Sequence, residues 1–170
     1  GYDTAWVSNS TSGNVAVVNL ASGKVETLIP TGARAQGAVR SRDGKTIFVT
    51  NSGAKTISRI DTATRKVTGT IRTGDGAARI GLTPDGKTLV YNLQAGEGCA
   101  FADVATMKET ARIALPGKPL SLTLSPDGTN AFLGLQDSDK VAVVSVSGRK
   151  LVRVFDTPKN AGPDTIAVLP

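Results

Sequence analysis

Asp43-Gly44-Lys45-Thr46, Asp85-Gly86-Lys87-Thr88 and Asp127-Gly128-Thr129-Asn130 follow one another at a constant step of 42 residues. One step upstream of Thr46 is Thr4, so Thr4-Ala5-Trp6-Val7 opens the same unit. A second anchor keeps the step: Asn19-Leu20-Ala21-Ser22, Asp61-Thr62-Ala63-Thr64, Asp103-Val104-Ala105-Thr106 and Ser145-Val146-Ser147-Gly148. Two anchors in phase along the whole chain are the signature of a repeat architecture. They divide it into units of about 1–40, 41–82, 83–124 and 125–170, within one domain spanning 1–170.

Within a unit the apolar residues alternate over short runs. Unit two reads Gly37-Ala38-Val39-Arg40, Thr46-Ile47-Phe48-Val49-Thr50, Thr56-Ile57-Ser58-Arg59-Ile60 and Val67-Thr68-Gly69-Thr70-Ile71. β-Branched residues fill the runs and turn residues separate them, which predicts strands. The Asp-Gly pair between the first two runs is a strong hairpin signal, because glycine accepts the positive φ such turns need. No stretch keeps a helical period. Four antiparallel strands per unit of about 42 residues predict an all-β fold, a β-propeller with four four-stranded blades.

Phe48-Val49-Thr50-Asn51 and Trp6-Val7-Ser8-Asn9 resemble the Tyr-Val-Thr-Asn motif of the YVTN-type propeller repeats. Thr83-Pro84-Asp85-Gly86-Lys87-Thr88 and Ser125-Pro126-Asp127-Gly128 resemble that family's turn, and Thr56–Asp61 its third strand. The motif weakens at Val90-Tyr91-Asn92-Leu93 and Phe132-Leu133-Gly134-Leu135. The resemblance implies a non-enzymatic binding or scaffold propeller, periplasmic or secreted. The Gly-His and Trp-Asp marks of WD40 repeats are missing.

The segment Pro163-Asp164-Thr165-Ile166-Ala167-Val168-Leu169-Pro170 resembles Pro119-Leu120-Ser121-Leu122-Thr123-Leu124-Ser125-Pro126, the first strand of a blade. The C-terminal segment is therefore expected to complete the N-terminal blade, which otherwise starts at its second strand. Completion in cis gives a four-bladed monomer; completion in trans gives a homodimer with one eight-bladed ring. A piece of a longer chain is the third reading.

Composition narrows the function. The chain has no histidine and one cysteine, Cys99. It therefore lacks an imidazole general base, an internal disulfide and a cysteine-cluster metal site. A propeller hydrolase or lyase would need metal ligands or a histidine at the centre, so the expectation is no enzyme and no cofactor. Asp137-Ser138-Asp139 offers alternating acids for a hard cation, but without the remaining ligands of a calcium loop it reads as a turn. No apolar stretch is long enough to span a bilayer.

The net charge is +6. Propeller ligands usually sit at the central opening, among the loops between blades. There the chain places Arg34, Gln36, Arg79, Lys118 and Lys159, a candidate ring for a protein partner or small anionic ligand. The plainer reading is solvated loop charge. Asp75, Glu97, Asp137, Asp139 and Asp164 on the same face dilute the field. Nucleic-acid binding is the alternative function, disfavoured because aromatics make up only 4% and the basic residues are spread over several faces.

Overall fold

The computed structural model describes residues 3–96 and 98–169. Among them, fifteen strands form four antiparallel sheets in sequence order. The first sheet has three strands: β1 (Thr4–Asn9), β2 (Asn14–Asn19) and β3 (Val25–Pro30). The second joins β4 (Ala35–Arg40), β5 (Thr46–Asn51), β6 (Thr56–Asp61) and β7 (Lys66–Arg72). The third joins β8 (Ala77–Leu82), β9 (Thr88–Leu93), β10 (Gly98–Asp103) and β11 (Lys108–Ala114). The fourth joins β12 (Thr123–Leu124), β13 (Asn130–Leu135), β14 (Lys140–Ser145) and β15 (Lys150–Asp156), with a 3-10 turn at Gln136–Ser138. The sheets are offset from the sequence units by one strand: 41–82 supplies three strands of the second sheet and the first strand of the third.

The repeat is visible in the backbone as well as in the side chains. In the first hairpin of each full sheet the aspartate turns back on its own loop. Asp43 Oδ1 accepts from Ser41 Oγ at 2.6 Å and from the Lys45 amide at 3.0 Å, and Gly44 takes a φ of +73°. Asp85 and Asp127 repeat this with Thr83 and Ser125. These hydroxyl and amide donors hold all three carboxyls below the usual range. Asp61 and Asp103 cap the turn after the third strand, each accepting from a threonine amide at 2.7 Å. A β-bulge recurs in step at Val17/Val18, Arg59/Ile60, Phe101/Ala102 and Val143/Val144. Each bulge twists the outermost strand away from its neighbour.

Alternation puts one face of each middle sheet against the preceding sheet and one against the following sheet, and three separate cores result. Trp6, Val15, Val17 and Ile29 meet Ala35, Ile47, Val49 and Ile60. Phe48, Ile57 and Ile71 meet Leu89, Tyr91, Leu93, Ala100 and Ala102. Val90, Cys99 and Phe101 meet Ala131, Leu133, Leu135, Ala142 and Val144. Sheets packed face to face in chain order around their inner strands make a propeller-like arrangement. The inner strands touch in succession, β1 on β4, β4 on β8, β8 on β12. The extensive contacts between sheets join only neighbours in sequence, and none joins the fourth sheet to the first. No helix among the described residues is long and apolar enough to cross a membrane.

The expectation for the C-terminal segment needs correcting within one chain. Among the described residues, 157–169 forms no strand and pairs with no part of β1. Its first part, 157–163, lies instead on the fourth sheet, where Asp139 and Gly134 meet it. The Asp139 carboxylate accepts the Asn160 amide at 2.7 Å and the Gly162 amide at 2.9 Å, while its carbonyl accepts the Thr157 amide at 2.8 Å.

Candidate functional site

The loops at one end of the sheets are built from two sets: those between one sheet and the next, and those joining the second and third strands of each four-stranded sheet, or β1 and β2 of the first. They are tied together by backbone hydrogen bonds. Thr31 and Gly32 amides donate to the Gly13 carbonyl, Thr73 donates to Lys55 and Thr157 to Asp139. Gly13 and Lys55 stand one repeat apart and Asp139 two repeats further on; Glu97, at the repeat position between, lies outside the described residues. Within the second sheet, beyond the β4–β5 pair, Ser52 donates to the Arg34 carbonyl, and Gly53 and Ala54 to that of Ala33. An open groove of about 790 Å³ runs between Ser10–Gly13 and Pro30–Arg34.

Each residue proposed from sequence occupies a distinct place on this scaffold. Arg34 has a positive φ of 58° and is exposed; its aliphatic stem lies along Gly53. Lys118 stands at the same repeat position two units later, exposed, with its amide bonded to the Asp137 carboxylate at 3.0 Å. Arg79 is three residues farther along its unit, inside β8, and its amide donates to Asn92 Oδ1 at 2.6 Å. Lys159 is exposed in the loop held by Asp139. Gln36 lies in β4; its carbonyl accepts from Ser8 Oγ, and its side-chain Oε1 is buried without a partner among the described residues. No hydrogen bond or ion pair among the described residues joins these five side chains to one another. They are three exposed cations on loops, an exposed cation in β8 and an amide in β4, not a convergent catalytic cluster.

Asp137 and Asp139 are spent on backbone amides, and donation from Gly162 and then Asn160 holds the Asp139 carboxyl below the usual range. No group of three or more histidine, cysteine or acidic side chains among the described residues is placed to hold a metal ion. Cys99 is fully buried, and burial pushes its thiol up to about 12.

The best-connected polar cluster was not foreseen from sequence. Tyr91 Oη donates to Glu109 Oε2 at 2.6 Å, and Arg112 bridges Glu109, Asp75 at 2.5 Å and the Thr73 carbonyl at 2.6 Å. Burial, then the Glu109 carboxylate, pushes the Tyr91 phenol well above its ordinary value. The cluster ties β11 to the loop between the second and third sheets. A signal was present: Tyr91 replaces Val7, Val49 and Leu133 at one repeat position, and a hydroxyl there must find a partner. Likewise the series Ser8, Thr50, Asn92 and Gly134 occupies a position that reaches the next inner strand. Thr50 Oγ1 donates to the Ala78 carbonyl at 2.9 Å and Asn92 Nδ2 to that of Pro119 at 2.7 Å.

No family model matches the chain, and no curated protein matches it. Among solved structures it is similar to Kuenenia stuttgartiensis hydrazine synthase, with a TM-score of 0.82 over 89% of this chain at 21% identity. The alignment covers 45% of that protein's chain, so this chain spans less than half the length of the chain it matches. At that identity the likeness is one of fold: the four stacked sheets described above recur as part of a longer polypeptide.

Proposed function

We propose that this chain is a non-catalytic binding propeller that captures an acidic protein surface or small anionic group through Arg34, Lys118 and Lys159 on its loops and Arg79 in β8. The observation that carries the reading is that four exposed cations, Arg34, Lys118 and Lys159 on loops and Arg79 in β8, sit on backbone held by hydrogen bonds. A fixed loop presents charge without a large ordering cost on binding. The carboxyl groups with displaced pKa values are all lowered, by hydrogen bonds to hydroxyl and amide donors and at Glu26 by Asn19 and then Arg65, and the raised thiol and phenol are buried in packing. None of these displacements moves a group towards the neutral range that acid–base chemistry uses. The YVTN resemblance supports the same reading and, with it, a periplasmic or secreted location. We place the working unit as an eight-sheet ring of two chains.

Fluorescence polarisation with a labelled polyglutamate peptide, a neutral peptide and a short DNA duplex tests the ligand. Binding of polyglutamate alone, weakened by salt and lost in R34A/R79A/K118A/K159A, is the expected result. Equal binding of the acidic and neutral peptides would overturn it, and preference for the duplex would favour a nucleic-acid function instead. Light scattering on a size-exclusion column tests the ring: a mass of about twice 17.4 kDa is expected.

A further inference from the structure

We propose that binding centres on the fourth sheet, where Asp137 and Asp139 are positioning residues that set Lys118 and Lys159 on either side of one turn to receive an acidic peptide. This two-point site rests on the anion-binding reading above. It narrows that reading from four cations to two, and from anions at large to a chain carrying several carboxylates.

The turn joining β13 and β14 departs from its own copies. At the repeat positions of Asp137 and Asp139 the first sheet has Thr11 and Gly13, the second Gly53 and Lys55, and the third Ala95 and Glu97. Only the fourth sheet has an acid at both. Its turn is also the one 3-10 element among the described residues. In the second sheet the turn grips the neighbouring loop through backbone alone, the Ser52, Gly53 and Ala54 amides donating to the carbonyls of Arg34 and Ala33. In the fourth sheet the direction is reversed and a side chain makes the grip: the Asp137 carboxylate accepts the Lys118 amide at 3.0 Å. Asp139 then reaches the loop on the other side. Its carboxylate accepts the Asn160 amide at 2.7 Å and the Gly162 amide at 2.9 Å.

Close packing supports both grips. A Cβ added at Gly117 would lie 2.7 Å from Ser138 Oγ and 2.9 Å from Asp137 Oδ1, and one at Gly162 would lie 3.4 Å from Gln136 Cγ. The loops before and after the fourth sheet therefore both rest on Gln136–Asp139. A unit that leaves the pattern of its own repeat, putting two acids into one short turn, marks a place where something other than packing sets the residues.

What the turn holds in place is a pair of exposed lysines. Lys118 is gripped by its own amide, and Lys159 immediately precedes the gripped Asn160. The two carboxylates are committed to backbone amides, and no ion pair among the described residues joins either of them to a lysine. Donation from the Gly162 and then the Asn160 amide keeps the Asp139 carboxyl below the usual range, so its grip persists at neutral pH. The two ammonium groups stand on separate loops about one turn, and an acidic peptide brings a carboxylate to each along a single chain. Arg34 and Arg79 share no such mount: one lies on a loop held by backbone bonds and the other in β8.

Fluorescence polarisation with labelled polyglutamate tests the site through matched pairs of variants. K118A/K159A is expected to weaken binding by about tenfold, and R34A/R79A, with the same loss of charge, by less than about threefold. D137N/D139N raises the net charge of +6 by two. Asparagine tolerates the positive φ of 52° at position 139 but leaves one of the two amides there without an acceptor. Overall charge alone would make this variant bind more tightly; loss of positioning makes it bind more weakly, which is the expected result. If D137N/D139N does not fold, the contrast between the lysine and arginine pairs decides alone. A wild type that does not bind polyglutamate overturns the anion-binding reading and this site with it. Wild-type binding with equal losses in K118A/K159A and R34A/R79A overturns the site alone, and tighter binding by D137N/D139N overturns the positioning role. Displacement of the label by inorganic phosphate as readily, mole for mole, as by unlabelled polyglutamate overturns the acidic peptide as the partner.

Discussion

The third sheet and the first are copies of one unit, yet they live in different surroundings. Leu89, Tyr91, Cys99 and Phe101 of the third sheet are wholly buried, two towards each neighbour. In the first sheet Val15, Val17 and Ile29 are buried against the second sheet, but Val7, Val25 and Leu28 face outward. The same sequence pattern therefore carries different energetic weight by place. Burying a large apolar side chain contributes about 1.5–3 kcal/mol, and an exposed one contributes little until a partner covers it.

Substitutions at matched positions break this comparison most sharply. Phe101→Ala is expected to cost about 3–5 kcal/mol, while Val7→Ala at a dilution that keeps the chain monomeric should cost under about 1 kcal/mol. Urea titration of both variants decides it; equal losses would mean that the first sheet's outer face is already covered.

Next comes the strand-two position that reaches across to the neighbouring sheet. Asn92 is wholly buried, accepts from the Ala78 and Arg79 amides and donates to Pro119. Asn92→Ala leaves those amides without a partner and should cost about 2–3 kcal/mol. Ser8→Ala, at the same position in the half-covered first sheet, should cost about 1 kcal/mol. Thermal melts of the pair test the ratio.

The turn aspartates sharpen the comparison through pH. Asp43, Asp85 and Asp127 have folded-state pKa values below the unfolded value. Such groups add stability above the unfolded pKa and lose it as pH falls through the folded one. Melting temperature should therefore be flat from pH 8 to about 5 and fall below about 4, where unfolded aspartate takes up its proton. A rise in melting temperature on acidification would contradict the assignment.

A smaller, local effect is expected at the fourth sheet's turn. Asp139→Gly installs the residue that the first sheet has at Gly13, keeping the left-handed backbone while removing the carboxylate. Hydrogen exchange at the Asn160 and Gly162 amides should speed by about tenfold while core amides are unchanged. Smallest of all is Lys140→Ala, which removes an exposed ion pair with Asp156 and should change stability by less than about 0.5 kcal/mol.

Much of this fold is legible in the chain because its causes are local. Asp43-Gly44, Asp85-Gly86 and Asp127-Gly128 make their own turns, and Asp61 and Asp103 cap theirs within three residues. The candidate site is less legible. Arg34, Lys118 and Lys159 lie on loops and Arg79 in β8, and only Arg34 and Lys118 share a repeat position, so the spacing does not foretell a symmetric ring. The Arg112 bridge joins residues 37 and 39 apart in sequence, a span at which only the packing of two sheets decides who meets whom. The resting place of 157–162 on the fourth sheet follows from Asp139, which reads in sequence as an ordinary acid in a turn.

Cys99 has a consequence of another kind. It is the chain's one thiol, and it sits in the core between the third and fourth sheets. A thiol-specific reagent can reach it only in the moments when those sheets part. The speed at which the protein takes up such a reagent therefore counts separations at one defined interface, with no label added and no residue changed: the molecule carries its own stopwatch.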